Sequence, residues 1–318
     1  MDHPVNTISK LYCYKPLKVY TGLEGNLPVK HKDVVMGVEI ELENVSPGYS
    51  IGTSKATEDG SLKVSGWEFV TIPMRMRYLE VELTRIFSGL GKETLVSSRC
   101  STHVHMNVRD MTKEQLVNMV LLYAIFERGL YRISGDRWNS NFCVPIHHNP
   151  NLLSVVLKNK NHLTSWYWNK YTGLNLCPIW GGDGSKTLGT VEFRQMHGST
   201  DVKEIMTWCN IITSLKRYAQ DIDQDELISH IRTMNTTSGY YWLVKEVFGK
   251  WAKLLSHQAT FAEDVENAIT MIKSVMPKEM IGYKKEKVII KKSTSIFSWT
   301  ELLGIPIVTS TQQPQPEF

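Results

Sequence analysis

From Val38 to Glu43 apolar and acidic residues alternate without a break: Val38, Ile40 and Leu42 on one parity, Glu39, Glu41 and Glu43 on the other. A period of two carried by β-branched residues marks a half-buried strand, predicted here over residues 34–43. Side chains two positions apart stand about 6.6 Å from each other on one face. The strand therefore carries an acidic ladder opposite its core side. Like charges so close repel, so either water screens them or cations neutralise them.

The same reading predicts strands over 67–72, ended by Pro73, over 103–108 and over 188–196. Helical periodicity covers 75–90, where Tyr78, Leu79, Val81, Leu83, Ile86 and Phe87 form a broad apolar stripe. Thr112 is a suitable N-cap for a long helix to about 133, and Asp201 for one to about 220. Further helices are expected near 226–234, 240–255 and 261–276, with a short strand at 288–290. Residues 1–32, with Pro4, Pro16 and Pro28, read as an irregular leader, 46–60 as a loop, and 306–318 as a flexible Pro-rich tail. Strands come early and late, with helices between and after, rather than in regular βαβ alternation. That favours an α+β fold with a mainly antiparallel sheet.

Composition narrows the function classes. The 318 residues carry a net charge of +4, too little to argue for nucleic acid, and the densest basic run, Lys284 to Lys292, reads as a solvated strand or loop. The five cysteines are widely spaced without a CxxC, which argues for a reducing compartment and against a disulfide frame or zinc ribbon. No secretory signal is visible, and the longest apolar run, at 119–126, falls far short of the ~20 residues of a membrane span. A cytoplasmic protein without membrane or nucleic-acid partners is expected.

The chemistry lies in the strands. His103, His105 and Asn107 share one parity, and Glu192, Arg194 and Met196 share another, opposite Val191, Phe193 and Gln195; Glu68 follows an Asp59-Gly60 turn. Each has a bland reading: a lone His-x-His is more often structural than liganding, and Glu192 and Arg194 could serve as cross-strand ion-pair partners. Four such strands in one chain point instead to a concave sheet lined with carboxylate, imidazole and guanidinium. Carboxylate-rich sets with few histidines suit Mg²⁺ or Mn²⁺ rather than zinc. Metals with arginine are the means of handling nucleotide phosphates. Neither a GxxxxGK[ST] nor a GxGxxG motif occurs, so a P-loop or Rossmann site is not supported.

The order GVEIE, EDGSL, GWEFV, CSTHVHMNV, then Arg137, Asn141, Phe142 and Pro145, then TVEFR and GSTD, resembles the amidoligase family. These are carboxylate–amine ligases often seen in phage and bacterial genomes and grouped with glutamine synthetase and glutamate–cysteine ligase. The likeness runs from about 34 to 215. It implies a glutamine synthetase-like curved antiparallel sheet with helices outside it, one catalytic domain over 33–305 that is helical from about 222, and use of ATP with two or three Mg²⁺ or Mn²⁺ ions. By the same resemblance Glu39, Glu41, Glu68, His103 and Glu192 are metal ligands, and His105 and Arg194 face the ATP phosphates as catalytic groups. Arg137 and Asn141 belong to a nucleotide- or substrate-side loop. Glu43 has no family role and reads as solvated. Ser101-Thr102 stands where relatives usually have a glycine. The implied reaction joins a small-molecule or peptide acid to an amine through an acyl phosphate, in the host cytoplasm if the chain is phage-encoded. The alternatives are another metal-dependent phosphoryl or nucleotidyl transferase, or a non-catalytic binding or inhibitor protein on the same fold. Acid, amine, general base and oligomeric state are left open.

Overall fold

The computed structural model describes residues 7–12, 14, 17, 34–45, 51–149, 151–158, 168–234, 236–256 and 260–275. The expected strand at 288–290, the basic run and the tail lie outside the described residues.

The fold is α+β. Seven strands form one open sheet: β1 (Val35–Leu42), β2 (Lys55–Glu58), β3 (Trp67–Val70), β4 (Met74–Arg75), β5 (Ser101–Asn107), β6 (Leu174–Asn175) and β7 (Thr190–His197). Their order is β2-β3-β1-β5-β7-β6, with β4 also paired to β1, and every pairing is antiparallel. Val38, Ile40, Leu42, Phe69, Val104, Met106, Val191 and Phe193 are fully buried and belong to one core on one side of the sheet. The helices α3 (Lys113–Ile133) and α6 (Val202–Asp221) pack on that side. The Phe193 ring meets Tyr123 of α3 at 6.0 Å and Trp208 of α6 at 6.3 Å between centroids. This one-sided coverage leaves the other face of the sheet for chemistry.

The caps are where the sequence puts them. Thr112 and Gln115 close a reciprocal capping box on α3, and Asp201 accepts from the amides of Lys203 and Glu204 on α6. The remaining helices are α1 (Ile8–Tyr12), α2 (Met76–Ser88), α4 (Asn151–Lys158), α5 (Cys177–Trp180), α7 (Gln224–Thr233), α8 (Thr237–Phe248), α9 (Ala252–Leu255) and α10 (Phe261–Val275).

Several expectations are corrected. Residues 7–12 of the leader are not irregular: α1 docks with Ile8 fully buried, and Thr7 bridges to Thr112. The loop at 46–60 contains β2, whose residues are too exposed and polar to show a period of two. The single helix expected at 240–255 breaks at Gly249, whose φ of +52° is a conformation that helices cannot continue. Glu43 is not solvated: it is buried, and its Oε1 accepts the Lys63 amide at 2.8 Å. Met196 does not share a face with Glu192 and Arg194. Thr102 pairs Met196 while Val104 pairs Phe193, so β7 carries one extra residue between them. This bulge turns Met196 to the core and sets His197 opposite Ser101.

Candidate metal and phosphate centre

The register aligns the polar residues of adjacent strands. Glu41 pairs Glu68, Glu39 pairs His103, His105 pairs Glu192, and Glu192 pairs Asn175. Directly opposed residues have side chains on the same face, about 4.5–5.5 Å apart at Cβ. Four glutamates and two histidines from β1, β3, β5 and β7 therefore converge.

His103 is at the centre. Its Nδ1 lies 3.4 Å from both Glu39 Oε2 and Glu192 Oε1, and its Nε2 lies 3.8 Å from Glu41 Oε1. His105 Nε2 is 3.0 Å from Glu39 Oε1 and 3.9 Å from Glu192 Oε1, while its Nδ1 reaches Thr190 Oγ1 at 3.1 Å. Ser101 ties down Glu41: its amide and hydroxyl donate to Oε2 at 2.8 and 2.6 Å, and its Oγ is 2.8 Å from His103 Nε2. On Glu192, Arg194 Nη1 donates to Oε1 and Asn175 Nδ2 donates to Oε2 at 2.7 Å. Arg194 Nε also donates to the Phe142 carbonyl at 3.2 Å.

Two groups can hold a cation, Glu39–His103–Glu192 and Glu41–Glu68–His103, each with its ligand atoms within 4.8 Å of one another. The trans ligands of an octahedral Mg²⁺ stand about 4.2 Å apart, so small side-chain adjustments close either shell. A neutral imidazole keeps a proton on one nitrogen, so His103 completes one group at a time. Oxygen-rich sets with one imidazole fit a hard divalent cation.

Electrostatics supports that fit. Burial, and then the charges of Glu39, Glu41 and Asp59, push the Glu68 carboxyl up to about 8. A proton on Glu68 thus relieves a local excess of negative charge. Burial works against a charge on Glu39, yet His105 and His103 hold its carboxyl well below the ordinary range. Burial also opposes a charge on His105, but Glu39 and Glu192 outweigh it and raise the imidazole to about 9.

The structure brings together seven of the nine residues singled out from the sequence: Glu39, Glu41, Glu68, His103, His105, Glu192 and Arg194. Arg137 instead straps the bulge, donating from Nη1 to the carbonyls of Arg194 and Met196 at 3.4 and 3.3 Å. Asn141 is exposed beside Phe142 on the adjoining loop. Asn175 escaped sequence reasoning because a two-residue strand has no period to read; its amide bridges Glu192 and the Cys177 amide, accepting the latter at 2.9 Å. Ser101 ties down a candidate ligand through its amide and hydroxyl. His197 holds Ser134 O at 3.0 Å on Nδ1 and Glu204 Oε1 at 3.2 Å on Nε2. Burial opposes a charge on His197, but Glu204 and the Ser134 carbonyl outweigh it and raise the imidazole above its ordinary value.

Residues 44–215, more than half of the chain, match the model of a family described as "putative amidoligase enzyme". The chain belongs to this amidoligase family. β3, β5, β6 and β7 lie within the matched span; β1, with Glu39 and Glu41, lies just before it and joins the site through its pairing with β3 and β5. No curated protein matches the chain. Membership makes it a member of a ligase-type enzyme family, for which nucleotide and metal use are expected. No helix among the described residues is long and apolar enough to cross a membrane.

Proposed function

We propose that the chain is an ATP-dependent, ADP-forming carboxylate–amine ligase. The observation that carries this reading is the convergence of Glu39, Glu41, Glu68, Glu192 and His103 on one sheet face, with Arg194 held against Glu192. Mg²⁺ or Mn²⁺ held by these five residues would supply positive charge to the phosphates. Arg194, braced by Glu192 and the Phe142 carbonyl, presents a fixed guanidinium to phosphate oxygens. His105, whose Nε2 lies 3.0 Å from Glu39 Oε1, adds a second polar group beside it. The partners are a small-molecule or peptide acid and an amine.

In the reaction a substrate carboxylate oxygen attacks the γ-phosphorus of ATP, the bond to the bridging oxygen breaks, and ADP leaves. The amine nitrogen then attacks the acyl carbon, the carbon–oxygen bond to phosphate breaks, and the proton lost from nitrogen passes to water or to a base. What this chain's residues contribute is charge neutralisation and alignment, which dominate phosphoryl transfer.

The test is ³¹P NMR of the protein with Mg²⁺, ATP and a pool of cytosolic small molecules and peptides, beside Glu41→Ala and Glu192→Ala. ADP and inorganic phosphate that depend on the pool and vanish in the folded variants support the ligase. ADP with a stable phosphorylated product makes it a kinase, and AMP or pyrophosphate an adenylyl transferase. No turnover and no shift of the ATP resonances overturn the reading in favour of a binding role. Full activity in either variant removes that residue from the site.

A further inference from the structure

We propose that Phe142 and Tyr171 form the seat of the nucleobase at this site, an inference that rests on the ATP reading above. Burying a large aromatic side chain is worth about 1.5–3 kcal/mol, yet Phe142 is 53% and Tyr171 39% exposed. They are not scattered. Their rings meet edge to face, with centroids 6.2 Å apart and planes at 76°.

Backbone bonds fix the pair beside the phosphate end of the site. The Val144 amide donates to Tyr171 O at 2.6 Å, the Gly173 amide to Val144 O at 2.9 Å, and the Arg194 amide to Gly173 O at 2.8 Å. Arg194, which touches Glu192 of the metal cluster, donates to the Phe142 carbonyl and has its Cζ 6.0 Å from the Tyr171 ring centre. Carboxylates, guanidinium and aromatic pair thus follow in sequence, as do cation, phosphate and base in a metal–nucleotide complex.

Charge decides which planar ligand fits. Lys170 Nζ lies 5.3 Å from the Tyr171 ring centre, and Arg194 Cζ lies 6.0 Å from it. An amine substrate, cationic before reaction, would meet two like charges there. A neutral base with a polyphosphate tail gains from both cations and from stacking on an exposed ring.

Calorimetry compares Mg²⁺–ATP with Mg²⁺–tripolyphosphate, which has the phosphates without the base, on the wild type, Phe142→Ala and Tyr171→Ala. Both side chains are exposed, and thermal melting verifies that the variants fold. Each variant is expected to bind ATP roughly 5- to 150-fold more weakly and tripolyphosphate unchanged, with Tyr171→Phe restoring ATP binding. Equal wild-type affinity for the two ligands overturns the seat, as does unchanged ATP affinity in both alanine variants. A parallel loss of tripolyphosphate binding also overturns it, because the pair would then act through Arg194. Wild type that binds neither ligand defeats the ATP reading itself, and the seat with it.

Discussion

Asn175 offers a sharp test of how the site is held. Its buried amide spans two groups: Nδ2 donates to Glu192 Oε2 at 2.7 Å, and Oδ1 accepts the Cys177 amide at 2.9 Å at the start of α5. Asn175→Ala removes one of the two side-chain donors on Glu192, leaving Arg194 on the other oxygen. A hydrogen bond to a charged group contributes about 1.5–3 kcal/mol, and removing a partner that orients a metal ligand typically costs 10–100-fold in affinity. The expected result is therefore Mn²⁺ binding weakened about 10–100-fold, read by electron paramagnetic resonance. The unpaired Cys177 amide destabilises the fold by a further 1–3 kcal/mol, roughly. Asn175→Asp should act in the opposite direction on the cation. It keeps the acceptor for Cys177 but sets a fifth carboxylate against Glu192, so the cation-free protein loses stability while Mn²⁺ binds at least as tightly as to wild type. A folded Asn175→Ala variant with Mn²⁺ affinity within about twofold of wild type would refute the idea that this amide positions Glu192.

Other consequences concern the scaffold. Lys216 is fully buried on α6, and its Nζ donates to Asn107 O at 2.7 Å and to both Asp110 oxygens at 2.8 and 2.9 Å, clamping the end of the strand that carries both histidines. Lys216→Met should cost about 3 kcal/mol in urea unfolding; together with Asp110→Asn the loss should be well below the sum of the two, and strict additivity would contradict the clamp. Asp264 of α10 is buried against Arg132, and burial raises its carboxyl to about 6 despite that partner. Its folded pKa lies above the ordinary 3.8, so its contribution is present in full below that value and is lost as pH rises through about 6. A gap of about 2 pH units at 1.4 kcal/mol each gives roughly 3 kcal/mol. Urea midpoints of wild type and Asp264→Asn should therefore diverge between pH 4 and 7, and parallel curves would show that the carboxyl is not perturbed.

Wherever a local period or a local cap decides, the sequence alone was sufficient. The alternation from Val38 to Glu43 defined β1 and its core side, Thr112 defined the start of α3, and Asp201 that of α6, because a strand's faces and a helix's first turn depend on neighbours a few residues away. The likeness to the amidoligase family also rested on short segments in order, and the family match agrees over 44–215. What depended on distant residues was decided only by the tertiary structure. The bulge in β7 turned Met196 to the core, which no reading of β7 alone reveals, since the extra residue exists only relative to β5. Glu43 continues the acidic parity of its strand, yet is buried because Lys63 returns a backbone donor from a loop that packs over it. Leu174–Asn175 is a strand only because Phe193 and Glu192 lie beside it. Four glutamates spread from Glu39 to Glu192 become two cation-sized groups that share His103 only when antiparallel register sets Glu41 beside Glu68, Glu39 beside His103 and His105 beside Glu192. Periodicity determines which face a side chain takes; pairing between strands far apart in the chain determines what it meets there.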